Sequence, residues 1–289
     1  MSLYVPLDDG QPPTNSVLVM GMEGWIDAGA GAATATAKLL EALDTRIVGT
    51  FDTDVLLDFR ARRPTMQIVD GVNTGLHWPE IHLRAAKDAT GQNVLLLVGP
   101  EPDHRWKEFT STVVELVTSW GVRLAVGLGA FPAPVPHTRP VGLASTATTQ
   151  ELAQLVGFVP GGLEVPSGIH GALERAFAHA GIPAVGLWAR VPHYVTRMAY
   201  PAASAALLRG LHHVSGIEVD PGDLVTAAEA VRGRVDELIA ANPEHAALVR
   251  RLEEQHDAQV DTGISLADLP TGDELAAELE RFLRDQRPD

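Results

Sequence analysis

Short apolar runs alternate with segments of helical periodicity over the first two thirds of the sequence. The runs have the length of buried strands, and they fall at residues 16–20, 46–51, 93–99, 122–129 and 184–190. Most are followed by a stretch in which apolar residues recur every three or four positions, as on one face of a helix. Strands that alternate with helices are typical of an α/β sheet. We therefore predict an α/β fold with a mixed, mostly parallel sheet flanked by helices.

Helices are predicted from this apolar spacing and from signals at their ends. Polar side chains that precede an apolar stripe can accept hydrogen bonds from the first turn of a helix. On that ground Asp103, Thr148 and Ser167 are predicted caps. The helices themselves are predicted at residues 28–43, 104–120, 149–156, 168–180 and 201–212.

The segment from Asp52 to Lys87 interrupts the alternation. Two runs in it, TMQIVDG and GLHWPEIHL, resemble strands and are separated by turn residues, without a convincing helical pattern. We predict a β-hairpin insertion near residues 52–87. Because such a hairpin carries strand edges that need covering, we expect it to lie at an interface between copies of the chain.

The composition changes near residues 216–222, and only amphipathic helical patterns follow. One stripe begins at Leu224, a second helix is capped at Asn242, and Thr271 with Glu274 forms a capping box for a third. These helices cannot bury their apolar stripes alone, so we expect them to pack on the preceding part. The sequence thus predicts an α/β core domain over residues 1–218 and an all-helical domain over residues 219–289.

Composition and charge exclude several classes of function. Among 289 residues the net charge is −15, which argues against nucleic acids and anionic membranes as partners, because both need a basic surface. Cysteine is absent, which excludes disulfides, thiolate zinc sites and cysteine nucleophiles. No apolar run reaches the ~18 residues of a membrane span, and the first residues lack the pattern of a signal peptide. We expect a cytoplasmic protein.

Two polar, proline-rich loops follow two of the apolar strands, at residues 100–106 and 130–140. In a parallel sheet both loops emerge at the carboxyl edge, where α/β proteins bind ligands. We predict a ligand site where the loops meet beneath the C-terminal helices. The candidate ligand-binding residues in the loops are Glu101, His104, Arg105, His137 and Arg139.

The glycine-rich turn GMEGWIDAGAGA, between a strand and a helix, is predicted to form a third wall of this site, with Glu23 and Asp27 as further candidates. Free N–H groups at such a helix start suit an anionic or carboxamide ligand. The alternative is a rigid structural corner without a cavity. In that case Asp103 caps its helix, Arg105 pairs with Glu101, and the charged groups satisfy one another.

Signatures of known catalytic sites are absent from the sequence. It has no G-x-S-x-G motif, and the turn lacks the spacing of a dinucleotide or phosphate loop. His77, Glu80 and His82 do not have the spacing of a metal site. We therefore assign no catalytic residue, metal or cofactor, and we lean towards a protein that is not an enzyme.

Four motifs carry a family resemblance. They are GWIDAG at 24–29, HWPE at 77–80, GPEPDHRW at 99–106, and PAPVPHTRP at 132–140 with STAT at 145–148. With these motifs the sequence resembles the proteasome assembly chaperone family, in its bacterial, chiefly actinobacterial branch, from about Val17 to Ile217. The helices after Asp220 are similar to the extra helical domain of that branch.

The resemblance implies a core like that of purine nucleoside phosphorylases and a homo-oligomer, with a trimer as the expected form. It also implies that the helical domain closes over a ligand pocket. Two functions remain open on these grounds. The first is a non-catalytic chaperone or scaffold that binds proteasome subunits or another protein. The alternative is a small-molecule-binding protein or enzyme that uses a lidded pocket at the carboxyl edge of the sheet.

Overall fold

The computed structural model describes residues 2–7 and 13–262, with side chains up to residue 258. Its main feature is an eight-stranded sheet with the order β1-β3-β6-β7-β2-β8-β10-β9, beside a separate hairpin of β4 and β5. The strands are β1 Tyr4–Pro6, β2 Val17–Glu23, β3 Arg46–Phe51, β4 Thr65–Val69, β5 Val72–His77, β6 His82–Lys87, β7 Asn93–Pro100, β8 Leu124–Ala133, β9 Leu143–Ala147 and β10 Ala184–Pro192.

The predicted α/β class with a mixed sheet is confirmed. Parallel pairing joins the four central strands β7, β2, β8 and β10. The outer strands β1, β3, β6 and β9 pair in antiparallel fashion. The sheet is therefore parallel only at its centre, and this is where the long apolar runs of the sequence lie, because central strands are buried on both faces.

The described helices cover both faces of the sheet. They are α1 Gly31–Ala42, α2 Thr53–Leu56, α3 Trp106–Ser119, α4 Gln150–Val156, α5 Ile169–Ala180, α6 Pro201–Ser215, α7 Leu224–Ala240 and α8 Pro243–Thr262. Side chains of β2 show how the two faces are divided. Val17 and Val19 pack in one apolar cluster with α1 and α6, while Leu18 and Met20 pack in another with α3 and α5. The molecule thus has the helix–sheet–helix layering expected of α/β proteins.

The region between β3 and β7 differs in part from the predicted insertion. A hairpin is present, formed by the antiparallel strands β4 and β5. The last strand of the region, β6, lies instead in the main sheet, between β3 and β7. The apolar run GLHWPEIHL is divided at Pro79, because a proline cannot donate to a strand ladder. Its two halves therefore belong to different sheets.

Helix starts differ from the predicted caps by one or two residues. The cap of α4 is Thr149, whose side chain accepts the N–H of Leu152, while the Thr148 hydroxyl bonds to the backbone of β10. Helix α5 begins after Gly168, and the hydroxyl of Ser167 donates to the Gly168 carbonyl instead of capping. At α4 two adjacent threonines offer the same signal in sequence, and the fold selects the second of them.

Within the described residues the chain after β10 is helical. Leu224 and Val235 of α7 belong to the same apolar cluster as α1 and α6. Asn242 accepts the N–H of Glu244 at the start of α8, as a cap does. The predicted capping box at Thr271 lies outside the described residues. Among the helices described, none is long and apolar enough to cross a membrane.

Candidate functional site

A cavity of about 80 Å³ lies at the carboxyl ends of the four central strands. Its walls come from the end of β2 and the turn after it, from β8 and β10, and from the first turns of α1 and α5. This is the edge of an α/β sheet at which ligands bind. The polar and aromatic side chains that line it are Glu23, Trp25, Asp27, Thr36, Glu101, His170 and Trp188.

Glu101 is buried in the wall of the cavity, with 9% of its surface exposed. Its Oε2 atom accepts the backbone N–H of Ile169 at 3.1 Å, and so the carboxylate caps α5. A Cβ atom at Gly24 or at Gly168 would lie 3.5 Å from the same oxygen, so both glycines leave the carboxylate room. Its backbone N–H donates to the carbonyl of Glu23 at 2.8 Å, which holds the two loops together.

Asp27 caps the other helix that begins at the cavity. Its two carboxylate oxygens accept the N–H groups of Ala32 at 2.8 Å and Ala33 at 2.9 Å. Burial raises the pKa of Asp27 above its ordinary value, while the hydrogen bonds from the first turn of α1 act in the opposite direction. The N–H groups that were predicted to be free for an anion are therefore already occupied by a carboxylate of the chain itself.

Two further polar groups in the wall were not predicted from the sequence. Thr36 is buried, with 7% exposed, and its Oγ1 atom has no hydrogen-bond partner among the described residues. That hydroxyl lies directly over Gly21, where even a Cβ atom would come within 2.3 Å of it. The Nε2 atom of His170 accepts the N–H of Met22 at 3.3 Å, and burial lowers the pKa of His170 to about 4. The imidazole is therefore neutral at pH 7.

Two tryptophans complete the cavity. Trp25 is 56% exposed and lies across Gly168, where a Cβ atom would be 3.5 Å from its Cδ1. The ring of Trp188 covers Gly129, and its Nε1 donates to the hydroxyl of Thr146 at 3.3 Å. Trp25 belongs to the GWIDAG motif, so a tryptophan in a polar glycine-rich turn was the available sequence signal. Nothing in the sequence pointed to Thr36 or His170, which lie within helices.

The charged residues that follow Glu101 do not line the cavity. Arg105 pairs with Glu108 of α3, and the backbone N–H of His104 donates to the Leu56 carbonyl at 3.0 Å. Asp103 is not the cap of α3; it accepts the N–H of Asp58 at 2.8 Å and pairs with an arginine of the same segment. The predicted pairing of Arg105 with Glu101 is wrong, because the left-handed backbone at Arg105 directs the chain into α3.

His137 lies in a hydrogen-bonded network on the C-terminal helices. His137 is buried, with 4% of its surface exposed. Its backbone N–H donates to the Tyr194 hydroxyl at 2.8 Å, and its Nδ1 atom lies 2.7 Å from the same hydroxyl. Nε2 lies 2.9 Å from a carboxylate oxygen of Asp236 in α7. All bonds are satisfied when the phenol donates to Nδ1 and Nε2–H donates to Asp236. His137 thus fastens α7 to the loop after β8.

Arg139 joins the same loop to α8 through ion pairs. Its Nε and Nη2 atoms donate to the two carboxylate oxygens of Asp257 at 2.8 and 2.7 Å, and Nη1 donates to Glu253 at 3.3 Å. Neither His137 nor Arg139 lines the cavity, and its lining includes no residue beyond Trp188. The predicted convergence of both loops beneath the C-terminal helices is therefore corrected. Of the predicted residues, the structure brings Glu23, Asp27 and Glu101 together.

Two glycines of the sequence motifs make close backbone contacts. Gly99 has a φ of +127°, and a Cβ atom there would lie 2.3 Å from the carbonyl oxygen of Glu80. Gly29, with a φ of +63°, lies against Tyr200 and accepts its N–H at 2.8 Å. Only glycine fits both backbone positions without strain. These contacts join the end of β7 to the segment before β6, and the turn after β2 to the start of α6.

The fold and the site define an α/β protein whose mixed sheet carries a small acidic cavity at its carboxyl edge and C-terminal helices fastened to a neighbouring loop. The PAC2 family model matches residues 21–239. The chain belongs to the PAC2 family, and the predicted resemblance to proteasome assembly chaperones is confirmed. No curated protein matches the sequence.

Solved structures agree with this assignment. A Mycobacterium tuberculosis protein of unknown function is 36% identical, with a TM-score of 0.83, over 90% of this chain and 93% of that one. A proteasome-assembly chaperone homologue from the same organism is also 36% identical, with a TM-score of 0.75, over 81% of this chain and 99% of that one. An archaeal proteasome activator from Pyrococcus furiosus is 14% identical, with a TM-score of 0.62, over 82% and 99%, and shares the fold alone.

Proposed function

We propose that this protein is a non-catalytic chaperone or scaffold of the cytoplasm that acts as a homo-oligomer, with a trimer as the expected form. The observation that carries the proposal is the exposed apolar hairpin of β4 and β5. Every residue of β4 is exposed, and the apolar side chains of the hairpin are largely open to solvent. They are Met66 at 51%, Ile68 at 56%, Val69 at 49%, Val72 at 62% and Leu76 at 43%.

A two-stranded hairpin of this kind gains little free energy from the contacts within it. Two strands alone are marginally stable in water, and exposed strand edges promote pairing with other chains. The hairpin is nevertheless held in place at its base, where the rings of Phe59 and Trp78 pack edge to face with centroids 4.8 Å apart. A fixed apolar projection on a chain with a net charge of −15 favours a specific apolar contact over electrostatic association. The proposed occupant of this surface is a second copy of the chain.

The identity of a further partner is proposed from the relatives. One solved relative bears the name of a proteasome-assembly chaperone homologue, at 36% identity over 81% of this chain. We extend that role to this chain and propose proteasome subunits as its protein partners. The acidic surface charge makes a basic partner surface the better electrostatic match.

The oligomer is tested by light scattering coupled to size-exclusion chromatography at micromolar protein. The expected mass is a multiple of the 30.8 kDa chain, three times that value for a trimer. Ile68→Asp and Val72→Asp should each reduce the mass to that of one chain, because they place a charge within the apolar contact. The matched control is Leu238→Asp, which changes an apolar residue of α7 that is 60% exposed. It should leave the mass unchanged.

Two results would contradict this proposal. One is a wild-type mass of 30.8 kDa at micromolar concentration, which would make the chain a monomer. The other is an unchanged oligomer in both hairpin variants while their circular dichroism stays native. In that case another surface would have to hold the copies together.

A second candidate function is binding of a small molecule in the cavity at the carboxyl edge. The observation that favours it is the Thr36 hydroxyl, which is buried in the cavity wall without a hydrogen-bond partner among the described residues. Burying a hydroxyl without a partner costs free energy, and a bound ligand would recover it. Thermal unfolding in the presence of candidate metabolites tests this function, since a ligand that binds the folded state raises the Tm.

A further inference from the structure

The ionisable side chains of the cavity wall leave it acidic. Glu23, Asp27 and Glu101 contribute carboxylates, and no lysine or arginine is among the lining residues that the structure describes. His170 is the remaining ionisable group, and it is neutral at pH 7 because burial lowers its pKa to about 4. Within residues 2–7 and 13–258, no ion pair joins any of the three carboxylates to a basic side chain. The wall therefore carries negative charge without a counter-ion from the chain.

The hydrogen bonds of the wall favour a ligand that donates. The first-turn N–H groups of α1 are bonded to Asp27, and the N–H of Ile169 is bonded to Glu101. These are the groups that an anion would need at a helix start. The groups that remain available to a ligand are hydrogen-bond acceptors. They are the Thr36 hydroxyl and the carboxylate oxygens of Glu23, for which no hydrogen bond is found in the described part of the chain.

Aromatic rings add a second element of cation recognition. Trp25 is exposed beside Gly168, and Trp188 lines another part of the wall, over Gly129. A cation over the face of a tryptophan is attracted by the negative face of the ring. In the part of the chain that the structure describes, no group of three or more His, Asp or Glu side chains could hold a metal ion. The cation that fits is therefore organic.

We propose that the cavity binds a small organic cation, the head group of a primary alkylammonium or a guanidinium. The proposal rests on the second candidate function, that the cavity holds a ligand. In the bound state the head group donates to Thr36 and to the carboxylates and lies over the ring of Trp25, while its alkyl stem points to the entrance. A cavity of about 80 Å³ accommodates a head group of this size and leaves the stem at the entrance.

The test uses n-propylammonium and n-propylguanidinium chloride as probes on the full chain, with tryptophan fluorescence and calorimetry as readouts. We expect dissociation constants of about 1 mM or lower, which lies within the range open to very small ligands. Butyrate and n-butanol have a similar alkyl stem but a negative and a neutral head group, respectively. Both should bind at least about tenfold more weakly, because the carboxylates of the wall repel butyrate and do not attract butanol by charge.

Three variants locate the binding. Glu23→Gln and Trp25→Ala should each weaken the binding of propylammonium about fivefold. The first variant loses one charge interaction, and the second loses one cation–π contact. Both residues are exposed and have no capping role, so the fold should survive. Thr36→Val should weaken binding about threefold or more, because a hydrogen bond to the cation is lost. The matched control, Glu115→Gln on the exposed face of α3, should bind as the wild type does.

Each remaining outcome overturns a distinct statement. If butyrate or butanol binds better than the cations and the variants at 25 and 36 abolish it, the cavity holds a ligand but not a cation. If the cations bind equally to wild type and all three cavity variants, binding is elsewhere and the proposal fails. If no probe binds at all, both the cation and the second candidate function are refuted, while the oligomer proposal is unaffected.

Discussion

The hydroxyl of Tyr194 is the centre of the network that fastens α7 to the loop after β8, and its removal gives the sharpest test of that network. The phenol accepts the backbone N–H of His137 at 2.8 Å and donates to Nδ1 of the same residue at 2.7 Å. Burial raises the pKa of Tyr194 well above its ordinary value, so the hydroxyl keeps its proton at neutral and mildly basic pH. Tyr194→Phe removes this one atom and retains the ring.

The expected loss in free energy of unfolding follows from the groups left behind. His137 is 4% exposed, so its N–H and Nδ1 would be buried without partners in the variant. Each buried polar group without a partner costs about 1–3 kcal/mol. For the two groups we expect a loss of about 3 kcal/mol, and a decrease in Tm of roughly 6 °C or more. The measurement is urea unfolding followed by circular dichroism, at one fixed protein concentration because an oligomer's stability depends on it.

A second tyrosine provides the matched control. The hydroxyl of Tyr4 donates to the Val48 carbonyl at 3.1 Å, and that carbonyl also accepts the N–H of Leu7 at 3.0 Å. Tyr4→Phe therefore removes one hydrogen bond and leaves no group unpaired, which costs about 1 kcal/mol. Two results would contradict the expectation that the unpaired groups of His137 account for most of the destabilisation. One is an equal loss in free energy of unfolding in both variants, and the other is a loss below about 1 kcal/mol in Tyr194→Phe.

Three further changes test other parts of the fold. Burial pushes the pKa of Asp88 upwards, but its hydrogen bonds from three backbone N–H groups and one hydroxyl outweigh this and hold the pKa below its ordinary 3.8. Asp88→Asn should thus cost about 2 kcal/mol at pH 7, and urea titrations should show the difference vanishing as pH falls through that depressed pKa. Thr36→Val should raise the free energy of unfolding of the ligand-free protein by about 1 kcal/mol in the same assay, because a buried hydroxyl without a partner is removed; a decrease would contradict this. Gly99→Ala should destabilise by more than about 3 kcal/mol, because its Cβ would lie 2.3 Å from the Glu80 carbonyl, and a Tm within a few degrees of wild type would disprove that contact.

The sheet was largely predictable because its central strands are buried on both faces. Such strands are continuous apolar runs, and β7, with residues 94–98 all buried, is an example. The two strands that the pattern missed, β1 and β9, are short strands at the sheet edges. An edge strand of three or five residues with one open side leaves little periodicity to detect.

The candidate site was only half predictable, because its hydrogen bonds join residues distant in sequence. Glu101 caps a helix whose first N–H lies 68 residues further along the chain. His137 reaches a carboxylate 99 residues away. Sequence places each of these side chains on a loop at the correct edge of the sheet, yet it carries no information on which partner each one meets. The two loops therefore looked like one site, although one faces the cavity and the other faces the C-terminal helices.

The hairpin and the cavity are physically separate, but one strand pair connects them. The hairpin ends at His77, and the chain then passes Glu80 into β6, which pairs with β7 along its length. At the end of β7, Gly99 touches the Glu80 carbonyl, and Glu101 follows at the cavity wall. A partner that covered the hairpin would therefore have one direct route to the cavity through this backbone contact. Because Gly99 has no side chain to yield there, displacement of Glu80 would move the β7 terminus directly. Binding of the cation probes to the hairpin variants, compared with the wild-type oligomer, measures that coupling, and equal affinities would mean that the two surfaces work independently.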